Sequence, residues 1–202
     1  MTIEAVVFDV GRVLFEWDLR HLIAKLYDDP QEVDWVLAHV VTVDWHFEHD
    51  AGRALADMTR ERIARFPEHR HAIEAYAARF NETIPGPVPG SLELVEALHA
   101  RDTPLYAITN FGAEFWRDFH KTQPIFTRFR AIVVSGEEKL VKPDPAIYAL
   151  AAQRFGHKPE AMLFIDDNAE NIASAVAEGW QGHHFSDAGK LERDLRARGL
   201  ID

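Results

Sequence analysis

Short unbroken apolar runs punctuate the chain, and each stops at a polar or small residue. Ala5-Val6-Val7-Phe8 ends at Asp9, Leu105-Tyr106-Ala107-Ile108 at Thr109-Asn110, Ala131-Ile132-Val133-Val134 at Ser135-Gly136, and Met162-Leu163-Phe164-Ile165 at Asp166-Asp167. Gly182-His183-His184-Phe185 is a weaker fifth run. Continuous rather than alternating apolarity predicts strands buried on both faces, the habit of a parallel sheet. Helical spacing fills the gaps. Leu92, Leu94, Val95 and Leu98 follow a Ser91 cap; Ile147, Leu150, Ala151 and Phe155 mark Pro145 to Phe155; Ile172 and Val176 mark Asn168 to Gly179. Strands alternating with helices predict an α/β fold built on a doubly wound parallel sheet. Ligands of such sheets sit beyond the carboxyl ends of the strands, so the polar residues that end the runs share one crevice.

The alternation breaks after the first run. From Trp17 to about Thr83 only helical patterns occur, predicted over Leu19 to Tyr27, Pro30 to Val41, Ala54 to Phe66 and Ala72 to Phe80. Ile84-Pro85-Gly86-Pro87-Val88-Pro89-Gly90 then stops helix formation and reads as a linker back to the sheet. This divides the chain into a Rossmann-like core, residues 1–15 and 85–202, and an inserted helical cap, residues 16–84, standing over the crevice.

Charge narrows the choice of partner. With 33 acidic against 22 basic residues the formal net charge is −11, which disfavours nucleic acid and anionic membranes. A small phosphorylated metabolite remains compatible if a metal and a lysine invert the local field. The absence of cysteine rules out disulfides and thiolate metal sites. No basic leader and no long apolar span is visible, so the protein is expected to be cytoplasmic, as a monomer or homodimer.

The crevice residues carry a recognisable chemistry. Asp9, Asp166 and Asp167 brought together repel one another unless a cation joins them. An oxygen-only site beside a phosphate favours Mg²⁺. Asp9 is then a nucleophile candidate, Lys142 neutralises phosphoryl oxygens, and Thr109 with Asn110 donates hydrogen bonds; an aspartyl-phosphate follows. A lysine at the opening of a helix is electrostatically misplaced unless an anion sits there.

These residues resemble the haloacid dehalogenase superfamily of hydrolases. Asp9-Val10-Gly11-Arg12-Val13 matches its first motif, Thr109 its second, Lys142 in VKPDPAIY its third, and Asp166-Asp167 in LFIDDNAEN its fourth, all in order. The resemblance implies that Asp9, Asp166, Asp167 and the Gly11 carbonyl hold Mg²⁺. It also exposes a departure, since most phosphatases of the family carry a second aspartate where Gly11 stands. That aspartate serves as general acid and base, help worth ~10²–10⁴ in rate. FDVGRV, KPDPAIY and IDDNAEN are similar to the forms FDLGxV, KPxxxIY and FDDNxxN of the α-D-glucose-1-phosphate phosphatase subgroup, which implies a sugar-1-phosphate or a similar small monoester.

Two alternatives stand beside this reading. A metal-free 2-haloacid dehalogenase would carry an aromatic residue at position 11, small polar residues at 166 and 167, and an aspartate at 171; this chain has Gly11, Asp166, Asp167 and Asn171. A non-catalytic phosphate-binding relative is the other. Within the cap, Trp45 and His46 are candidates for contact with the substrate, and a cap histidine for the missing acid.

Overall fold

The structure is a computed structural model that describes residues 2–202. Five parallel strands, β1 (Ala5–Phe8), β2 (Leu105–Thr109), β3 (Ala131–Val134), β4 (Met162–Asp166) and β5 (Gln181–His184), lie in the order β3-β2-β1-β4-β5. The sheet, its parallel sense and all five apolar runs agree with the sequence pattern. β1 is central because its four residues are buried on both faces, and it pairs with β2 on one side and β4 on the other. β5, the least apolar run, takes an edge.

Alternate residues along each strand feed two cores. Val6, Phe8, Leu105 and Leu163 face one side with Phe115, Phe119 and Leu191; Ala5, Val7, Tyr106 and Phe164 face the other with Ile147, Tyr148 and Trp180. The first core runs without a break into the helices between β1 and β2, through Leu22, Val36, Met58, Ile73 and Tyr76.

Those helices are α1 (Arg20–Ile23), α2 (Pro30–His39), α3 (Val43–Asp50), α4 (Leu55–Arg65) and α5 (Arg70–Arg79). The segment predicted as a helix from Leu19 to Tyr27 holds helical geometry only through Ile23. Beyond it, Lys25 and Leu26 donate to carbonyls three residues back, a tightening that ends the α-helix. α3 exists because the Thr42 hydroxyl caps it, accepting from the Trp45 amide at 3.0 Å. The segments leaving and re-entering the sheet run side by side. Glu16 N donates to Gly86 O, Val88 N to Leu14 O, and Asp18 N to Thr83 O.

The sheet side of the chain adds α6 (Ser91–His99), α7 (Ala113–Thr122), α8 (Ser135–Glu138), α9 (Pro145–Phe155), α10 (Ala169–Ala177) and α11 (Ala188–Ala197). Ser91 does not cap α6: it is the first helical residue, buried with its hydroxyl unpartnered, and Gly90 at φ +82° occupies the cap position. Asn168 caps α10 as its position suggests, accepting from Glu170 N at 2.8 Å. Among the described residues no helix is long and apolar enough to cross a membrane.

Candidate active site

The strand order puts the carboxyl end of β1 between those of β2 and β4. Asp9 N donates to Ile165 O at 2.8 Å, continuing the ladder by one residue and setting Asp9 beside Asp166. Lys142 arrives from the loop after α8. Its position is fixed by Asn110, whose Oδ1 accepts from Lys142 N at 2.9 Å and whose Nδ2 donates to Lys142 O at 3.0 Å. Asn110, expected on a phosphoryl group, thus also grips the Lys142 backbone, and it lines the crevice. Thr109 ends β2 and is buried.

The Lys142 ammonium lies 2.7 Å from Asp9 Oδ1 and 2.7 Å from Asp166 Oδ2, with all three side chains at least nine-tenths buried. Burial works against its charge, but Asp166 and Asp9 outweigh that and hold Lys142 above the ordinary lysine value. Asp9 is pushed up to about 7, first by burial and then by the Asp166 and Asp167 carboxylates, against the pull of Lys142. Val10 N and Lys142 both contact Asp9 Oδ1, so Oδ2 is the oxygen left for chemistry.

Asp166 and Asp167 differ sharply. Asp166 has no exposed surface, and its oxygens accept from Lys142 Nζ, from Asn168 N at 2.8 Å, and from Asn171 Nδ2 at 3.0 and 3.1 Å. Asp167 is half-buried and lines the crevice, its carboxyl raised by burial and by Asp166 despite Arg12 and Lys142. The sequence marks Asn171 only as the place where a dehalogenase carries an aspartate; its hold on Asp166 depends on the packing of α10.

Carboxylate oxygens of Asp9, Asp166 and Asp167 lie within 4.8 Å of one another. Three acids against one lysine leave an excess of negative charge in a largely buried place, and the donors are all oxygens. This set fits a hard divalent cation such as Mg²⁺.

Gly11 also lines the crevice. A Cβ built there meets nothing within 4 Å, and its φ lies outside the left-handed region, so neither space nor backbone demands glycine. The next residue, Arg12, does adopt φ +58° and places its guanidinium 5.2 Å from the Trp17 ring centroid.

Above these groups opens a cavity of about 210 Å³. Its floor is Asp9, Asp167 and Lys142, and its walls are mainly apolar, with Phe15, Trp17, Phe80 and Phe111 prominent. From α3, His46 and Asp50 reach the lining. Trp45 does not: it is buried against Tyr76, ring centroids 4.8 Å apart, with the Arg62 guanidinium 5.3 Å from its own ring. One step along a helix turns a side chain by about 100°, which sends Trp45 into the cap interior and His46 to the crevice. Nothing in the sequence marks Asp50, since an acid near a helix end ordinarily faces water.

A sequence model of the family described as haloacid dehalogenase-like hydrolase matches residues 3–179. A sesquiterpene phosphatase of Aspergillus oryzae is 24% identical over 200 residues, 96% of each chain. The phosphoglycolate phosphatase of Escherichia coli is 30% identical over 91 residues, 45% of this chain and 36% of that enzyme. Among solved structures, a HAD family enzyme of Bacteroides thetaiotaomicron in its magnesium complex superposes with a TM-score of 0.72 at 20% identity, covering 94% of this chain and 96% of that one. An L-2-haloacid dehalogenase superposes with a TM-score of 0.70 at 19% identity, covering 97% and 100%.

Proposed function

The chain belongs to the haloacid dehalogenase-like hydrolases, and we propose that within them it is a Mg²⁺-dependent phosphatase acting on a small phosphate monoester, with a sugar phosphate such as a sugar-1-phosphate as the leading class. One observation carries the reading: Lys142 bridges Asp9 and Asp166 while Asp167 stands free at the crevice. A phosphoryl dianion needs that combination of one cation and an acidic, oxygen-only metal site.

Asp9 Oδ2 attacks phosphorus, the ester oxygen leaves, and the aspartyl-phosphate on Asp9 is released by water as inorganic phosphate. Lys142 neutralises the phosphoryl oxygens, Thr109 donates to them, and Asn110 keeps the Lys142 loop in place. Asp9, Asp166, Asp167 and the Gly11 carbonyl would hold the Mg²⁺; when bound, it supplies charge neutralisation and in-line orientation of the phosphoryl group. Gly11 brings no carboxylate to protonate the leaving oxygen. The reaction therefore favours esters with comparatively good leaving groups, among them an anomeric sugar oxygen. The cap, residues 16–84, selects among them by walling the crevice.

The dehalogenase alternative has less support. A dehalogenase needs a carboxylate to activate water near position 171, and here Asn171 donates to Asp166 instead. Phosphate release from a panel of sugar phosphates and an aryl phosphate, with Mg²⁺ and with chelator, tests the reading. Metal-independent halide release from 2-chloropropionate would overturn it.

A further inference from the structure

His46 is held on every side. Its Nδ1 lies 2.8 Å from the Tyr76 hydroxyl, its Nε2 3.2 Å from Asp50 Oδ2, and its ring stacks against Trp17 and Phe80 with centroids 5.0 and 5.2 Å away. The arrangement that satisfies all three polar groups has the Tyr76 hydroxyl donating to Nδ1 and Nε2–H donating to Asp50. Burial, reinforced by Asp50, raises the Tyr76 phenol well above its ordinary value, so it keeps its proton. His46 is thereby committed to fixing one oxygen of Asp50.

The other oxygen is unmet. Asp50 is 4% exposed, and its Oδ1 has no hydrogen-bond partner. Trp17 Nε1, on the residue stacked against His46, is likewise buried without a partner. Both residues line the cavity. Buried polar atoms are almost always paired, and neither of these is open to bulk solvent. One is an acceptor and one a donor. A hydroxyl matches either, whereas an ammonium answers only the first and a carboxylate is repelled by it.

We infer that Asp50 Oδ1 and Trp17 Nε1 read hydroxyl groups of the leaving group, with His46 as the positioning residue that holds Asp50. The inference rests on the phosphatase reading for the far end of the ligand, and it narrows the substrate to an uncharged, hydroxyl-bearing skeleton whose carbon faces lie against aromatic walls. A pyranose phosphate has this character.

The test compares Asp50→Asn, Asp50→Ala and Trp17→Phe with the unaltered enzyme, thermal melting confirming the fold. Hexose-1-phosphate, phosphoethanolamine and an aryl phosphate are the substrates. In each variant the kcat/KM ratio of hexose phosphate to aryl phosphate should fall at least tenfold, mainly through KM. Titration calorimetry of hexose-1-phosphate with Mg²⁺ on Asp9→Asn, with and without Asp50→Ala, reads recognition without turnover. Loss of binding on adding Asp50→Ala, in a protein whose unaltered form hydrolyses nothing, would uphold recognition and sink the phosphatase reading. Unchanged ratios and unchanged binding would overturn recognition while leaving the phosphatase reading standing. An Asp50-dependent preference for phosphoethanolamine would also overturn it.

Discussion

Lys142 stands between Asp9 and Asp166, its ammonium 2.7 Å from each, and it is the one cation among these buried groups. Removing it leaves two buried carboxylates facing each other. Lys142→Met is expected to cost about 3–5 kcal/mol, the usual penalty for breaking a buried ion pair from one side. Turnover should vanish with it. Denaturant titration and phosphate release measure the two effects, and near-native activity would remove Lys142 from its role.

Asp9 gives the stability of the metal-free protein a definite pH dependence. Its folded value of about 7 lies above the ordinary 3.8, so its contribution is fully present below about pH 4 and is lost as the pH rises through about 7. Asp9→Asn should therefore melt higher than the unaltered protein near pH 8 in chelator and match it near pH 4. The variant should be inactive throughout. For the unaltered protein, Mg²⁺ should raise the melting temperature more at pH 8 than at pH 5, because protonated Asp9 is a poor ligand. Equal shifts at both pH values would count against a metal at this carboxylate.

Gly11 offers open space and an unstrained backbone. Gly11→Asp should fold normally and gain activity on alkyl phosphates, whose leaving oxygen needs a proton, by about tenfold or more. Aryl phosphates, with good leaving groups, should gain less. A loss on both would mean that the added carboxylate disturbs the metal site instead of supplying a proton.

The seating of α3 on the core depends on Gly112. A Cβ there would lie 2.0 Å from the His49 ring, which is itself buried against Phe115. Gly112→Ala is expected to destabilise by about 1–3 kcal/mol, as overpacking does. It should also raise KM by shifting the helix that carries His46 and Asp50. Thermal melting and steady-state kinetics would show both effects together, and an unchanged melting temperature would refute the tight contact.

Much of this molecule is written in its apolar runs. Five short runs were enough for a parallel sheet, and the residue ending each run pointed to Asp9, Thr109 and the Asp166-Asp167 pair, because burial on both faces leaves a polar side chain nowhere to go but the strand end. What the sequence concealed depends on orientation. Trp45 and His46 are adjacent, and only the packing of α3 decides which enters the crevice. Asn110 also clamps the Lys142 backbone, a role hidden in the sequence because its partner lies 32 residues away along the chain. Asp50 and Asn171 sit in helical segments whose polar positions carry no mark distinguishing cavity from solvent. The sequence pattern hides α7 although Phe115, Trp116 and Phe119 give it an apolar face, because its neighbours Phe111 and Phe126 blur the spacing.

Ser135 joins the two ends of the cavity. Its hydroxyl accepts from Phe111 N at 3.0 Å and donates to Asp50 O at 2.6 Å, tying the end of α3 to the loop whose Asn110 grips Lys142. The wall bearing Asp50 is thus braced against the wall bearing the nucleophile, like the jaws of a caliper set to one opening. On the proposed reading, a substrate that fills this space is gauged by its reach from phosphorus to hydroxyl, and a skeleton one carbon too short or too long meets a fixed gap.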